Sequence, residues 1–407
     1  MFISKIMRQP VFVLVTAACI IFAAFGIRQS MGLFMRPISD GLGWGREVLS
    51  LALATQNLLI GFAAPFFGAI ADRWGPPKTL AVGGFLFSLG LLLMSLASTP
   101  FVMFMSAGVM MGIGLGACGM PLVLATVSKV APEQKRSFWI GIITTCGTGG
   151  QLLLVPASRL AIGEFNWPTT LLMLSLIAML IVPIALATSS AITKDIGKDN
   201  NINIREALLE AFHHGGYRLL TSGFFVCGFH VAFVSIHLPA FVHDRCSAPG
   251  LGATALMLIA FCNMIGAATS GWLGGRFSKK YLLSAIYSGR ALVMCGFLLF
   301  PINPSTVIIF SCLIGLLWLS TVPPTSGLVS QIFGLRYMGM LYGIVFLSHQ
   351  LGAFVGIWLG GYIFDNTGSY TIVWWTAVAL AVASAIMHLP IDERPLPRLK
   401  KVENQIL

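Results

Sequence analysis

Residues 68–80 read GAIADRWGPPKTL, and about 200 positions later residues 271–283 read GWLGGRFSKKYLL. Each is a short, charged, glycine-bearing turn between two long apolar stretches. Gly68 and Arg73 recur as Gly271 and Arg276 at the same separation, while Gly275 stands where the first copy has Asp72. A turn repeated at matching places implies a chain built from two related halves.

Composition says what the halves are made for. Of 407 residues 57% are hydrophobic and 10% charged, against roughly 25% charged in a soluble domain. Such a chain cannot cover itself with a water-facing surface, so its partner is a lipid bilayer. Twelve stretches approach the ~20 apolar residues that a helix needs to cross the hydrocarbon: 11–34, 46–71, 78–97, 101–129, 137–160, 167–189, 217–242, 251–275, 281–300, 304–330, 337–363 and 369–389. The first lacks a small-residue cleavage site and is too long for a signal core, so it is expected to be retained. The longest polar interval, SAITKDIGKDNNINIREALLEAFHHGG at 190–216, falls near mid-chain. The expected organisation is an all-α membrane protein of two pseudo-symmetric six-helix bundles, 1–189 and 217–391. A cytoplasmic linker at 190–216, with a short amphipathic helix around IREALLEAF, joins them, and 392–407 forms a tail.

The net charge of +11 is a topology signal. With the N-terminus in the cytoplasm, nineteen of the 25 Lys and Arg residues lie on that side, and Arg36, Arg46, Arg159 and Arg245 lie opposite. Positive residues favour the cytoplasmic face, so both termini are expected inside a cell membrane. No basic helix or aromatic-basic platform points to nucleic acid. The eight cysteines are scattered singly without a CxxC pair and read as small apolar thiols rather than metal or redox sites. No metal or cofactor is expected. No nucleophile–base–acid set converges, which argues against an enzyme. The GIGLG run at 112–116 sits inside an apolar stretch with no strand before it, so it is not a nucleotide fingerprint.

The two turns resemble the cytoplasmic loop signature of the major facilitator superfamily, G-x-x-x-D-R-x-G-x-x-K, with Gly68, Asp72, Arg73, Gly75 and Lys78 in the first copy and Gly271 and Arg276 in the second. The resemblance implies that these residues gate between inward- and outward-open states and do not bind substrate. Gly68 is expected to let two helices approach closely. Further segments, GLFMRPISDGLGWGREVLSLALATQNL (32–58), GTGGQLLLVP (147–156) and SHQLGAFVGIWLGGYIFDNTGSYTIVWW (348–375), resemble a bacterial branch related to monocarboxylate and oxalate/formate porters. There are departures. Thr145 and Cys146 replace the Gly-Pro of the drug-antiporter motif, and Ser106 or Ala107 stands where proton-coupled members carry an arginine. The porters' anion-binding arginine is often on span 8, where CNMIGAATSG (262–271) carries no charge.

Polar residues deep in the spans carry the functional reading. At 1.5 Å rise per residue, Gln56, Asn57, Gln151, His230, Asn263, Arg290, His349 and Gln350 fall within a turn of the midplane, each span contributing one or two. Arg28 lies about 8 Å beyond the centre of span 1. Polar groups at this depth bond other helices or line a substrate pathway. The candidate substrate-binding set is Arg28, His349, Gln350, His230, Gln151, Arg290, Asn263 and Asn57, with His237 on the same face as His230. Arg290 has the alternative of bracing spans 8 or 11 through backbone carbonyls. None of the 14 acids lies near the midplane. Arg28 is therefore expected either to snorkel towards Asp40 or Asp365 or to await an anionic cargo, whose carboxylate a guanidinium matches bidentately.

The expected function is a monomeric secondary transporter of a small organic anion, a monocarboxylate on the family resemblance. It would work by alternating access as an H⁺ symporter or anion exchanger, without an ATPase subunit. The alternative on the same fold is an exporter of amphipathic compounds.

Overall fold

The structure, a computed structural model, describes residues 10–130, 136–188, 204–246, 248, 250–333 and 338–396. Most of the expected linker (190–203) and the end of the tail (397–407) lie outside the described residues. So do the side chains of Asp72 and Arg73. The described elements are helices, with no strand among them.

In chain order they form α1 (Pro10–Ser30, continued by a 3-10 turn Met31–Phe34 into Met35–Leu42), α2 (Arg46–Trp74), α3 (Pro76–Ser95), α4 (Pro100–Met103, a π turn Phe104–Met110, Met111–Cys118 and Met120–Val130), α5 (Arg136–Phe165) and α6 (Trp167–Met179 and Ile181–Ala187). The short helix Ile204–His213 follows. Then come α7 (Gly215–Cys246), α8 (Leu251–Gly274), α9 (Lys279–Leu299), α10 (Pro304–Leu316 and Val322–Phe333), α11 (Met338–Thr367) and α12 (Thr371–His388). Several starts follow from local chemistry. Thr99, Asn166 and Asn303 each accept a hydrogen bond from a backbone N–H of the first turn, and each precedes a proline in the first two helical positions.

Ten helices among the described residues are long and apolar enough to cross a membrane. The expected spans 137–160 and 304–330 are not among them, so the count of twelve is not reproduced by length and composition. The side chains of residues 136–138 and 140, in the first turns of α5, lie outside the described residues. The expected tenth span is broken at residues 317–321, leaving Pro304–Leu316 as a thirteen-residue piece.

The most intimate packing pairs are α1 with α5 and α7 with α11. Both are made possible by glycine. A Cβ on Gly150 would lie 2.0 Å from the Phe22 carbonyl oxygen, and one on Gly228 would lie 1.8 Å from that of His349. Two further pairs, α2 with α11 and α5 with α8, join the first part of the chain to the second. The four pairings exchange under a shift of six helices, the repeat suggested by the two loop motifs. The expectation for Gly68 is not met among the described residues: a Cβ there would meet none of them within 4 Å. The close approach of α2 lies two turns earlier, where a Cβ on Gly61 would lie 3.0 Å from Gln350 Cβ. Gly75 has a backbone requirement of its own, φ +91 at the end of α2.

Candidate functional site

One end of the bundle, outer under the expected orientation, is sealed by polar contacts between the two parts of the chain. The guanidinium of Arg46 pairs with Asp244 at 2.7 Å and donates to Tyr370 Oη at 3.0 Å. The carboxylate of Asp365 accepts from the backbone N–H groups of Arg46 (2.9 Å) and Glu47 (2.7 Å). It thus satisfies free donors at the start of α2. Trp358 Nε1 donates to Glu47 at 3.3 Å. His237 accepts from Tyr370 Oη at 3.2 Å through Nδ1 and donates through Nε2 to Ile357 O at 2.8 Å. That places His237 within the seam.

Below the seam, α1, α2, α7 and α11 enclose a cavity of about 30 Å³ whose polar lining is Arg28, Gln29, Gln56, Asn57, Ser235 and His349. Arg28 donates through Nη2 to Asn57 Oδ1. Neither acid expected as a snorkelling partner is used that way: Asp40 pairs with Arg36 at 3.3 Å, and Asp365 caps α2. Among the described residues no carboxylate faces Arg28. Asn57 is held by donation to Leu53 O at 2.8 Å, and its own carbonyl accepts from Gln350 Nε2 at 3.2 Å. Gln350 Oε1 in turn contacts His349 Nδ1 at 3.2 Å. The His349 ring stacks on Phe346 and is 8% exposed. A continuous polar chain thus runs Arg28–Asn57–Gln350–His349 across the contact between α2 and α11.

A second strand of contacts starts beside it. Gln29 Nε2 donates to Gln151 Oε1 at 3.3 Å, and Gln151 Nε2 donates to Leu256 O at 3.2 Å, tying α1 to α5 and α5 to α8. Gln29 and Ser235, both on the cavity wall, were not among the sequence candidates. The signal for Gln29 was available, since a second polar residue beside Arg28 at that depth has the same cost to explain.

Three candidates point elsewhere. His230 Nε2 donates to Ala377 O on α12 at 2.8 Å. Asn263 Oδ1 accepts from Leu319 N at 3.0 Å. Arg290 donates through Nε and Nη2 to Leu317 O at 3.1 and 2.8 Å and through Nη2 to Trp318 O. The brace anticipated for Arg290 therefore falls on α10, not on the eighth or eleventh helix. Asn263, Arg290 and Ser270, which donates to Ser320 O, together serve backbone groups released where α10 breaks. A break buried in protein needs such partners, because lipid offers none. Of the remaining motif residues, Arg276 lies over the Trp272 ring at 4.0 Å, Lys78 is exposed, and Gly271 makes ordinary contact with Pro323 at 3.8 Å.

Comparison with known proteins agrees with this architecture. Residues 15–357 match the profile of the family described as Major Facilitator Superfamily. The chain is 24% identical over 400 residues to YcxA, an MFS-type transporter of Bacillus subtilis (strain 168), covering 94% of this chain and 95% of that one. It is also 24% identical to Monocarboxylate transporter 13 of Rattus norvegicus, covering 90% of this chain and 85% of that protein. Among solved structures it resembles an inward-facing, unoccupied bacterial homolog of the human lysosomal transporter Spinster, with TM-score 0.76, 14% identity and 95% and 99% coverage. A D-xylose–proton symporter superposes with TM-score 0.74 at 13% identity, with the same coverage.

Proposed function

The chain belongs to the Major Facilitator Superfamily, and from that premise we propose that it is a secondary carrier of small organic anions whose carboxylate is received by Arg28. The observation that carries the reading is the guanidinium of Arg28, bordering a cavity between the two parts of the chain with an amide oxygen as its partner and no acid. A fixed cation at that depth is costly unless it faces water or a counter-ion, and a carboxylate supplies two acceptors in matching geometry. Monocarboxylate transporters among the relatives favour a monocarboxylate.

Substrate-binding roles for Asn57, Gln350, His349 and Gln151 are part of the proposal. Asn57 orients the guanidinium, Gln350 and His349 extend the polar wall, and Gln151 joins α5 to α8 behind it. His230, Asn263 and Arg290 act as braces in this reading. The cavity volume of about 30 Å³ is roughly one water's share of the liquid, so cargo binding requires α2 and α11 to part. Opening and closing that contact, with the Asp365 and Asp244 seam as its outer latch, is the alternating-access step. His349, the imidazole on the cavity wall, is the proton carrier if coupling is by H⁺ symport; anion exchange needs no such group. Both termini lie in the cytoplasm of a cell-membrane protein under this reading, and the two bundles divide at 190–216.

A thermal-shift screen of the purified protein against acetate, L-lactate and pyruvate tests the reading, since a ligand that binds the folded state raises the unfolding midpoint. Stabilisation of the native protein that is lost in Arg28→Gln supports it. Equal stabilisation of both proteins removes Arg28 from the site.

A further inference from the structure

A second and larger cavity, about 270 Å³, opens at the sealed end of the bundle, lined by Arg36, Asp40, Arg159, Pro239, His243 and Gly252 among others. It lies between α1 and α5 on one side and α7 and α8 on the other, on the far side of the seam from Arg28. Its charges do not cancel. Arg36 is engaged by Asp40 at 3.3 Å and by His243 Nε2 at 2.7 Å. Its Nε is nevertheless buried without a hydrogen-bond acceptor, because Asp244 Oδ1 at 3.7 Å is too distant to serve. Arg159 has neither an ion pair nor a hydrogen bond among the described residues. Asp40 is the one acid among the lining residues and faces two guanidinium groups, one of them wholly free. Asp244, the further acid near Arg36, is already paired with Arg46 at 2.7 Å. The space between is of the size that takes a small molecule.

We propose that this crevice is a second anion site, an anteroom in which a small carboxylate rests between Arg159 and Arg36 before it passes the seam to Arg28. The inference rests on the anion-carrier reading and adds a residue and a side to it. A cation at the mouth of a narrow cleft raises the local concentration of an anionic cargo and its rate of capture. It does so only from the compartment that the cleft faces. Arg159 should therefore affect transport from one side of the membrane and not the other. Arg28, which every cargo molecule meets, should affect both.

The test is uptake of radiolabelled acetate, L-lactate and pyruvate by whole cells and by everted vesicles carrying the native protein, Arg159→Gln or Arg159→Lys. Arg159→Gln is expected to raise KM about fivefold in one of the two preparations, the scale of a partly exposed ion pair, with Vmax unchanged in both. Arg159→Lys keeps KM within about twofold of native, because the charge remains. High salt should raise the native KM towards that of Arg159→Gln. An unchanged KM in both preparations, an equal rise in both, or a loss confined to Vmax overturns the anteroom and leaves the Arg28 reading standing. Absence of uptake of all three anions by the native protein overturns both.

Discussion

Replacing Arg290 by Met separates a structural cation from a substrate-binding one. Arg290 is 1% exposed, and its Nε and Nη2 serve the carbonyls of Leu317 and Trp318 at the break in α10. Met fills much of the same volume but donates nothing. Two buried acceptors then lose a charged donor, at about 1–3 kcal/mol each. Against this, the native protein leaves Arg290 Nη1 buried with no partner, and removing a poorly compensated buried charge recovers part of the loss. The net expectation is a destabilisation of about 2–4 kcal/mol. It should be read as a lowered unfolding midpoint of the detergent-solubilised protein, with KM for carboxylate changed less than twofold in whatever fraction folds. Arg290→Lys should recover part of the stability, since an ammonium reaches one carbonyl but lacks the fork. A variant with native stability and abolished carboxylate binding would refute the brace and return Arg290 to the substrate site.

Other outcomes follow from the packing and the seam. Gly228→Ala places a Cβ 1.8 Å from the His349 carbonyl oxygen; forcing α7 from α11 should cost about 3 kcal/mol or more, measured as loss of folded protein on size-exclusion and a lowered midpoint. Asp365→Asn weakens the cap on Arg46 N and Glu47 N, worth about 1 kcal/mol. It should shift the population towards opening at that end, read as faster thiol labelling of a cysteine placed at Ser50 with no change in the unfolding midpoint beyond about 1 kcal/mol.

Much of the helix content and the level of each polar residue along its axis are legible in the sequence, because length and hydropathy act one residue at a time. Rotation about the axis is not. His230 and Arg290 stand at the depth of the cavity, yet one faces α12 and the other the break in α10. Helices that are apolar on every side carry no stripe to reveal which face turns inward. Arg28 escaped this limit because its question concerned missing acids, and the acids can be counted without knowing any rotation. The prolines at 323 and 324 mark a hinge in the tenth span, but the break itself falls just before them, at the largely apolar LWLST of 317–321. The groups that complete it come from α8 and α9, far along the chain. Gly68 was read from a loop motif as a contact between helices, while no described residue lies within 4 Å of a Cβ placed there.

Uptake of radiolabelled carboxylate into proteoliposomes holding equal amounts of folded native protein, Arg28→Lys and Arg28→Gln bears most directly on the account. A first-span guanidinium that takes its counter-charge from the cargo predicts negligible uptake by Arg28→Gln and partial uptake with raised KM by Arg28→Lys. Native uptake by Arg28→Gln would contradict it.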